Sequence, residues 1–243
     1  MGLNQDRVKG DGMNLKKFVE TIATHWDHID NPTYPKDRKL RWITESYQGM
    51  ATENTGYLLN HAVTFLEPGE CYLEVGTWKG RTLRYAMEGH PEHEFYAIDN
   101  FSDFTKPPRW YRPFSKPEPQ RSLDRMLRRA EKTYRVSFIE GDFRKLLPIF
   151  PHTIGVYFYD GGHIYRDQYD GLELALPHMA RQSLIVVDDT NPFEEGVNGS
   201  EARAANRDWL AAHPEWKLLF DFLSPKRDYG WHNGIQVLGR FLS

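Results

Sequence analysis

Between Cys71 and Val187 the chain alternates short, largely apolar runs with amphipathic stretches, and few folds accommodate that pattern. The apolar runs are Cys71–Val75, Phe95–Ile98, Val136–Ile139, Ile154–Tyr159 and Ser183–Val187. Each is too short for a core helix and lacks the strict polar alternation of a half-exposed strand, so each predicts a strand buried on both faces. Helical spacing appears between them at Thr82–Glu88, Arg121–Tyr134 and Tyr165–Leu176, and again at Ser200–Ala212. Strands joined by crossover helices predict a doubly wound, Rossmann-like α/β sheet that binds ligands at the carboxyl ends of its strands. Trp216–Phe222 and Gly234–Phe241 read as two last strands close enough to pair, which would make one edge antiparallel.

Ahead of this core, Leu15–Ile29 and Thr55–Phe65 carry apolar residues at helical spacing, with Asn31-Pro32 and Pro68-Gly69 as breakers. The expectation is one domain over 1–243, with a helical cap at 1–68 and a cofactor-binding core at 69–243. A net charge of −3 argues against nucleic acid as a partner. Ten Lys/Arg against four Asp/Glu between Asp103 and Arg135 form a local exception. Most of these arginines fall on the polar face of the Arg121–Tyr134 helix and read as a solvated surface. No apolar run spans a membrane and the first residues lack a signal-peptide core. The lone Cys71 excludes an internal disulfide, so a reducing, cytoplasmic setting is expected.

In such a sheet the residues just past each strand carry the chemistry. The first strand runs into Glu74-Val75-Gly76-Thr77-Trp78-Lys79-Gly80-Arg81-Thr82, an E-x-G-x-x-x-G-x-T turn rather than the G-x-G-x-x-G of a dinucleotide site. Gly76 permits a tight turn, Gly80 would let the next helix start close to a ligand, and Glu74 offers a carboxylate to an ammonium group. Asp99 ends the second strand, where an acid can accept both ribose hydroxyls. Asp142, after the third, could accept from an adenine amino group while Phe143 covers the ring. A loop-capping aspartate would leave the same letter at either place. Three acidic strand ends behind a glycine turn nevertheless describe a nucleoside site without a phosphate cradle.

These residues resemble the class I S-adenosylmethionine-dependent methyltransferases from about Asn54 onward. Glu74, Gly76 and Gly80 match the family's first motif, Asp99 its ribose-binding acid and Asp142 its adenine-contacting acid. The resemblance implies strand order 3-2-1-4-5-7-6 with the last strand antiparallel. It also implies cofactor contacts from Thr77 and Thr82 in the turn, from Asn100 beside Asp99, from Phe143 and from Asp160. Thr77-Trp78-Lys79 stands where many members have a third glycine, a spacing similar to that of catechol-type small-molecule O-methyltransferases.

Strand four ends in Asp160-Gly161-Gly162-His163-Ile164-Tyr165, and strand five in Asp188-Asp189-Thr190-Asn191. Asp160, Asp188 and Asp189 together form a hard-oxygen cluster suited to Mg²⁺ or a similar divalent cation, which would relieve their mutual repulsion. Paired aspartates after strand five are similar to the sugar-modifying branch of metal-dependent O-methyltransferases, whereas the catechol type has Asn second. The D-G-x-H-x-Y segment also resembles bacterial methyltransferases in which metal use is not assured. His163 is placed either as a general base, its ordinary pKa near 6.5 suiting that task, or as a cap on the following helix.

Asn100–Gln120 holds five prolines and five aromatics and reads either as a lid over the site or as a packed surface insertion. As a lid over 103–120, its Arg109 and Arg112 would favour an anionic acceptor. Trp78, Trp231-His232-Asn233 and Met50–Asn54 are further candidates for the rim, the last as a cover on the methionine end. The expected activity is methyl transfer to a small-molecule hydroxyl, with a divalent cation on the three aspartates and proton removal by His163 or Asp160. Metal-free methylation with His163 as base, a nicotinamide-dependent oxidoreductase and a non-catalytic cofactor-binding protein are the alternatives. A homo-oligomer is compatible with the sequence.

Overall fold

The computed structural model describes residues 12–102, 117–192, 199–223 and 230–241. The strands are β1 (Glu70–Val75), β2 (Glu94–Asp99), β3 (Arg135–Glu140), β4 (Thr153–Tyr159), β5 (Met179–Val187), β6 (Trp216–Phe222) and β7 (Ile235–Arg240). They form one seven-stranded sheet in the order β3-β2-β1-β4-β5-β7-β6. The pairs among β1 to β5 are parallel, and β7 runs antiparallel to both β5 and β6. Order and edge direction agree with the expectation. β5 begins earlier than the apolar run suggests, because Met179 and Ala180 stay buried beyond an irregularity opposite Ile154 and Val156.

β1 is buried along its whole length, and its side chains divide between two cores. Tyr72 packs on one face with α3 (Glu53–Val63) and α4 (Arg81–Met87). Cys71, Leu73 and Val75 face the other side with α7 (Tyr165–Ala175) and α8 (Gly199–Ala212). Helices on both faces are what a sheet of doubly buried strands requires. A buried amide chain fastens α7 and α8 to β7: Gln168 donates to Asn206 and Asn206 to Gln236, each at 2.8 Å. Burial makes all three amides dependent on those bonds. The helix α5 (Glu118–Ala130) buries Leu123, Met126, Leu127 and Ala130, while Arg121, Arg125, Arg128 and Arg129 are exposed. Its basic face is thus solvated, as its spacing predicts.

The cap departs from expectation at two places. The first helix, α1 (Leu15–Ile22), tightens into a single 3₁₀ turn, Ala23–His25, instead of running to Ile29. Trp26 leaves the turn extended, is buried beside Trp231 at 5.1 Å between rings, and donates to Asn54 Oδ1 at 2.7 Å. Burying that indole outweighs another turn of exposed helix. The six-residue α2 (Arg41–Ser46) escapes sequence reading because one and a half turns have no usable period. The short α6 (Phe143–Leu146) escapes for the same reason. α3 is capped by Thr52 and is tied to the loop before β7 through Asn54 and Gly230. Among the described residues no helix is long and apolar enough to cross a membrane.

Candidate active site

The ends of β1, β4 and β5 meet at one cavity, lined by Gly76, Thr77, Trp78, Asp160, Asp188 and Asp189. His232 and Asn233, from the loop before β7, line it as well. Four described non-glycine residues adopt positive φ, and three of them are Trp78 (46°), Asp189 (54°) and His232 (50°) on this wall. The fourth, Phe101 (53°), follows Asp99 and Asn100. Such backbone costs free energy and persists where surrounding structure imposes it, so its concentration here marks a functional site.

The two glycines of the turn are required by packing. A Cβ on Gly76, at φ +90°, would stand 1.8 Å from the Asp160 carbonyl oxygen. One on Gly80 would meet Met126 and Leu123 of α5 at 2.5 and 2.8 Å, so Gly80 admits α5 rather than a ligand. Glu74 lies beneath the turn and does not line the cavity. It has no exposed surface, accepts the hydroxyls of Tyr72 and Thr82 at 2.7 and 3.0 Å, and braces the turn from beneath. Burial pushes its carboxyl up to about 7 against the hydrogen bonds of Thr77, Tyr72 and Thr82. The unfolded chain releases that proton near 4.5, so the native state binds more protons between there and about 7. Stability should therefore fall as pH rises across that window. Glu74→Gln is expected to flatten the slope by up to a few kcal/mol between pH 5 and pH 7.5 in urea denaturation. Glu70, also raised to about 7 by burial, would keep its own share. Equal slopes in variant and wild type would show that Glu74 is ionised in the fold.

Asp99 is fixed at the end of β2 by two amides: Trp78 N–H donates to one oxygen and Phe101 N–H to the other, both at 2.6 Å. Asn100 is exposed and caps its own turn through Ser102. Asp142 caps α6, accepting from Arg144 N–H at 3.0 Å. Phe143 is buried edge-on to Tyr159, and the Arg144 guanidinium lies 4.7 Å from the ring centre. The capping alternative for Asp142 is thus realised. The side chain of Phe143 packs into the core against Tyr159. None of these four lines the cavity of the β1, β4 and β5 ends.

The acidic cluster is arranged differently from the expected trio. Asp160, Asp189 and His163 bring ligand-capable atoms within 4.8 Å of one another. Asp188 stands behind them, 4% exposed, accepting the Asp189 N–H at 2.8 Å. The left-handed Asp189 backbone turns its carboxylate toward His163, whose Nε2 lies 2.8 Å from Oδ2. Burial raises Asp160 well above the ordinary carboxylate range, and Asp188 and Asp189 add to the effect. Burial and then Asp189 push Asp188 up to about 7. Burial opposes ionisation of Asp189 too, yet the hydrogen bond and charge of His163 hold it below the ordinary range. Two carboxylates and an imidazole at this separation fit a divalent cation, which would let Asp160 ionise.

Trp231 is fully buried and stacked on Phe222, so it belongs to the core and not to the rim. Residues 103–116, with Arg109 and Arg112, lie outside the described residues; 117–120 turn into α5. Two side chains escaped the sequence reading. Lys79 is buried, paired with Glu118 at 2.8 Å and 4.5 Å from the Trp78 ring centre. Arg81 donates to the carbonyls of Tyr47 and Ala51 at 2.8 and 3.1 Å, pinning the 47–51 segment over the turn. A basic residue opening a helix after the motif was the available signal.

Sheet order, the glycine turn and the acidic strand ends together define the class I methyltransferase fold. Residues 73–190 match the family model described as a methyltransferase domain. The stretch from β1 to the end of β5 is thus similar to a methyltransferase domain, within a sheet of the methyltransferase fold. Among solved structures it is similar to the O-methyltransferase TomG from Streptomyces achromogenes, in complex with S-adenosylmethionine. That likeness has 17% identity, 86% of this chain, 92% of that one and a TM-score of 0.58. An O-methyltransferase from Bacillus cereus in complex with S-adenosylhomocysteine gives 14%, 85%, 92% and 0.60. Cofactor-bound Rv0187 from MTB gives 17%, 84%, 90% and 0.62. No curated protein matches the chain at significance.

Proposed function

We propose that the protein transfers a methyl group to the hydroxyl of a small-molecule acceptor, with a divalent cation held by Asp160, Asp189 and His163. This reading rests on the convergence of the Gly76–Thr82 turn, the acidic pair and three left-handed residues on a single cavity. When bound, the cofactor supplies an already activated sulfonium methyl and the cation lowers the pKa of the acceptor hydroxyl. Asp99, immobilised by two amides, accepts the ribose hydroxyls, and Asp142 offers its second oxygen toward the adenine. The Gly76–Gly80 turn orients the methionine part. His163 keeps Asp189 ionised and aimed. Asp160 faces the cavity and accepts the acceptor's proton or holds its oxygen in line. The expected setting is cytoplasmic, in keeping with the buried free thiol of Cys71.

The test is transfer of labelled methyl from S-adenosylmethionine to a panel of phenols, sugars and hydroxy acids with magnesium present. Production of S-adenosylhomocysteine with an O-methylated product is expected. Methyl recovered only on nitrogen or carbon would assign a different acceptor chemistry. The metal-free reading keeps one observation in its favour, the direct 2.8 Å contact of His163 with Asp189, an orienting pair of the kind a general base uses.

A further inference from the structure

A second hollow of about 440 Å³ opens beside the first, on the cap side. Thr33, Tyr34, Thr44, Thr52 and Glu53 line it, and none of them lines the strand-end cavity. Gly49, Met50, Ala51, Arg81 and His232 line both, so the two spaces share a wall. A space of this size beside a cofactor cavity suits a small molecule.

Of the described cations around this wall, Arg81 is the one without an acid among the described residues. Lys79 is neutralised by Glu118 and Arg84 by Glu88. Glu53, the acid on the hollow's own wall, has both oxygens engaged by Arg38 at 2.9 and 2.5 Å. Arg81 has no carboxylate partner among the described residues, and burial lowers its pKa with only Tyr85 acting against it. Its Nε and Nη1 are spent on the carbonyls of Tyr47 and Ala51, which fix the guanidinium plane. Nη2 donates to no atom of the described residues. A half-buried guanidinium held rigid with a free edge costs desolvation that a ligand oxyanion would offset.

We infer that Arg81 is the anchor for a carboxylate or phosphate on the methyl acceptor, which stands in the cap-side hollow with its hydroxyl toward Asp160 and Asp189. The inference rests on the methyltransferase reading and narrows its substrate class to hydroxylated oxyanions. The hydroxyl-rich far wall, with Thr33, Thr44 and Thr52, suits the polar remainder of such a molecule.

The test titrates inorganic phosphate by calorimetry into the full chain saturated with S-adenosylhomocysteine, comparing wild type with Arg81→Met and Arg81→Lys. Phosphate should bind wild type, and Arg81→Met should weaken it at least tenfold, the scale of one lost charge-assisted pair. Arg81→Lys, which keeps the charge and loses the fork, should fall between them. S-adenosylhomocysteine affinity should stay within about twofold in both variants, which also certifies their fold. If Arg81→Met does not fold, the intermediate loss in Arg81→Lys carries the comparison. Phosphate binding that ignores both substitutions, or none by wild type, overturns the inference. So does a tenfold loss of S-adenosylhomocysteine in Arg81→Met, which would assign the guanidinium to the cofactor's own carboxylate. A wild type that takes phosphate through Arg81 but never S-adenosylhomocysteine keeps the anion site and overturns the methyltransferase reading beneath it.

Discussion

Asp189→Asn is expected to reduce methyl transfer roughly a hundredfold or more while leaving S-adenosylhomocysteine affinity within about threefold. Asparagine tolerates the left-handed backbone at φ 54°, so the substitution removes charge with little disturbance of the turn. The lost charge is the one that His163 holds ionised at 2.8 Å, and the one a cation would meet together with Asp160. Exhaustive chelation of wild type should produce a loss of the same order, reversed by magnesium or manganese. In the variant, added metal should restore little. Because His163 and Asp189 would hold the same cation, His163→Ala combined with Asp189→Asn should cost scarcely more than Asp189→Asn alone. Full activity after chelation would remove the cation and leave His163 as the base. Its loss would then add to that of Asp189.

Gly76→Ala should be the most damaging methyl group at any of the described glycines. The added Cβ would fall 1.8 Å from the Asp160 carbonyl oxygen, on a residue at φ +90°. Neither partner can yield cheaply, because Asp160 N–H is bonded to Val75 O at 2.8 Å and Gly76 N–H to Ile98 O at 2.9 Å. Relief requires separating β1 from β4 at the centre of the sheet. A cost of about 4 kcal/mol or more follows, a large share of a domain's stability. Gly89→Ala supplies the control. It has a similar φ of +84° and nothing within 4 Å of the added carbon, so it should cost only about 1–2 kcal/mol. Urea denaturation midpoints of the two variants separate crowding from backbone strain. Equal midpoints would mean that the sheet accommodates the methyl group.

These expectations draw unequally on what the sequence shows. The five parallel strands are legible because burial on both faces leaves a run of apolar letters, and Asp99, Asp160 and Asp189 are legible because ligands gather at strand ends. The positions of Glu74 and Gly80 are legible too, but their work is not. An E-x-G-x-x-x-G pattern cannot show that Tyr72 and Thr82 hold the carboxylate from below, or that Leu123 and Met126, some forty residues on, fill the space over Gly80. The exchange of Asp188 for His163 in the cluster depends on one left-handed residue, and no local signal predicts positive φ at a non-glycine position. Arg81 reads in sequence as an ordinary helix-opening cation. Only the pairing of Lys79, Arg84 and Arg38 with acids of their own shows that it alone among them lacks one among the described residues.

Calorimetry of the wild-type chain with S-adenosylhomocysteine and, separately, with NADH decides whether the acidic strand ends hold the nucleoside they are assigned. One molecule of S-adenosylhomocysteine per chain should bind, NADH should give no heat, and Asp99→Ala should weaken the former by about 1.5–3 kcal/mol through lost charge-assisted hydrogen bonds. Heat from NADH with none from S-adenosylhomocysteine would contradict the cofactor assignment. Binding untouched by Asp99→Ala would move the ribose away from β2.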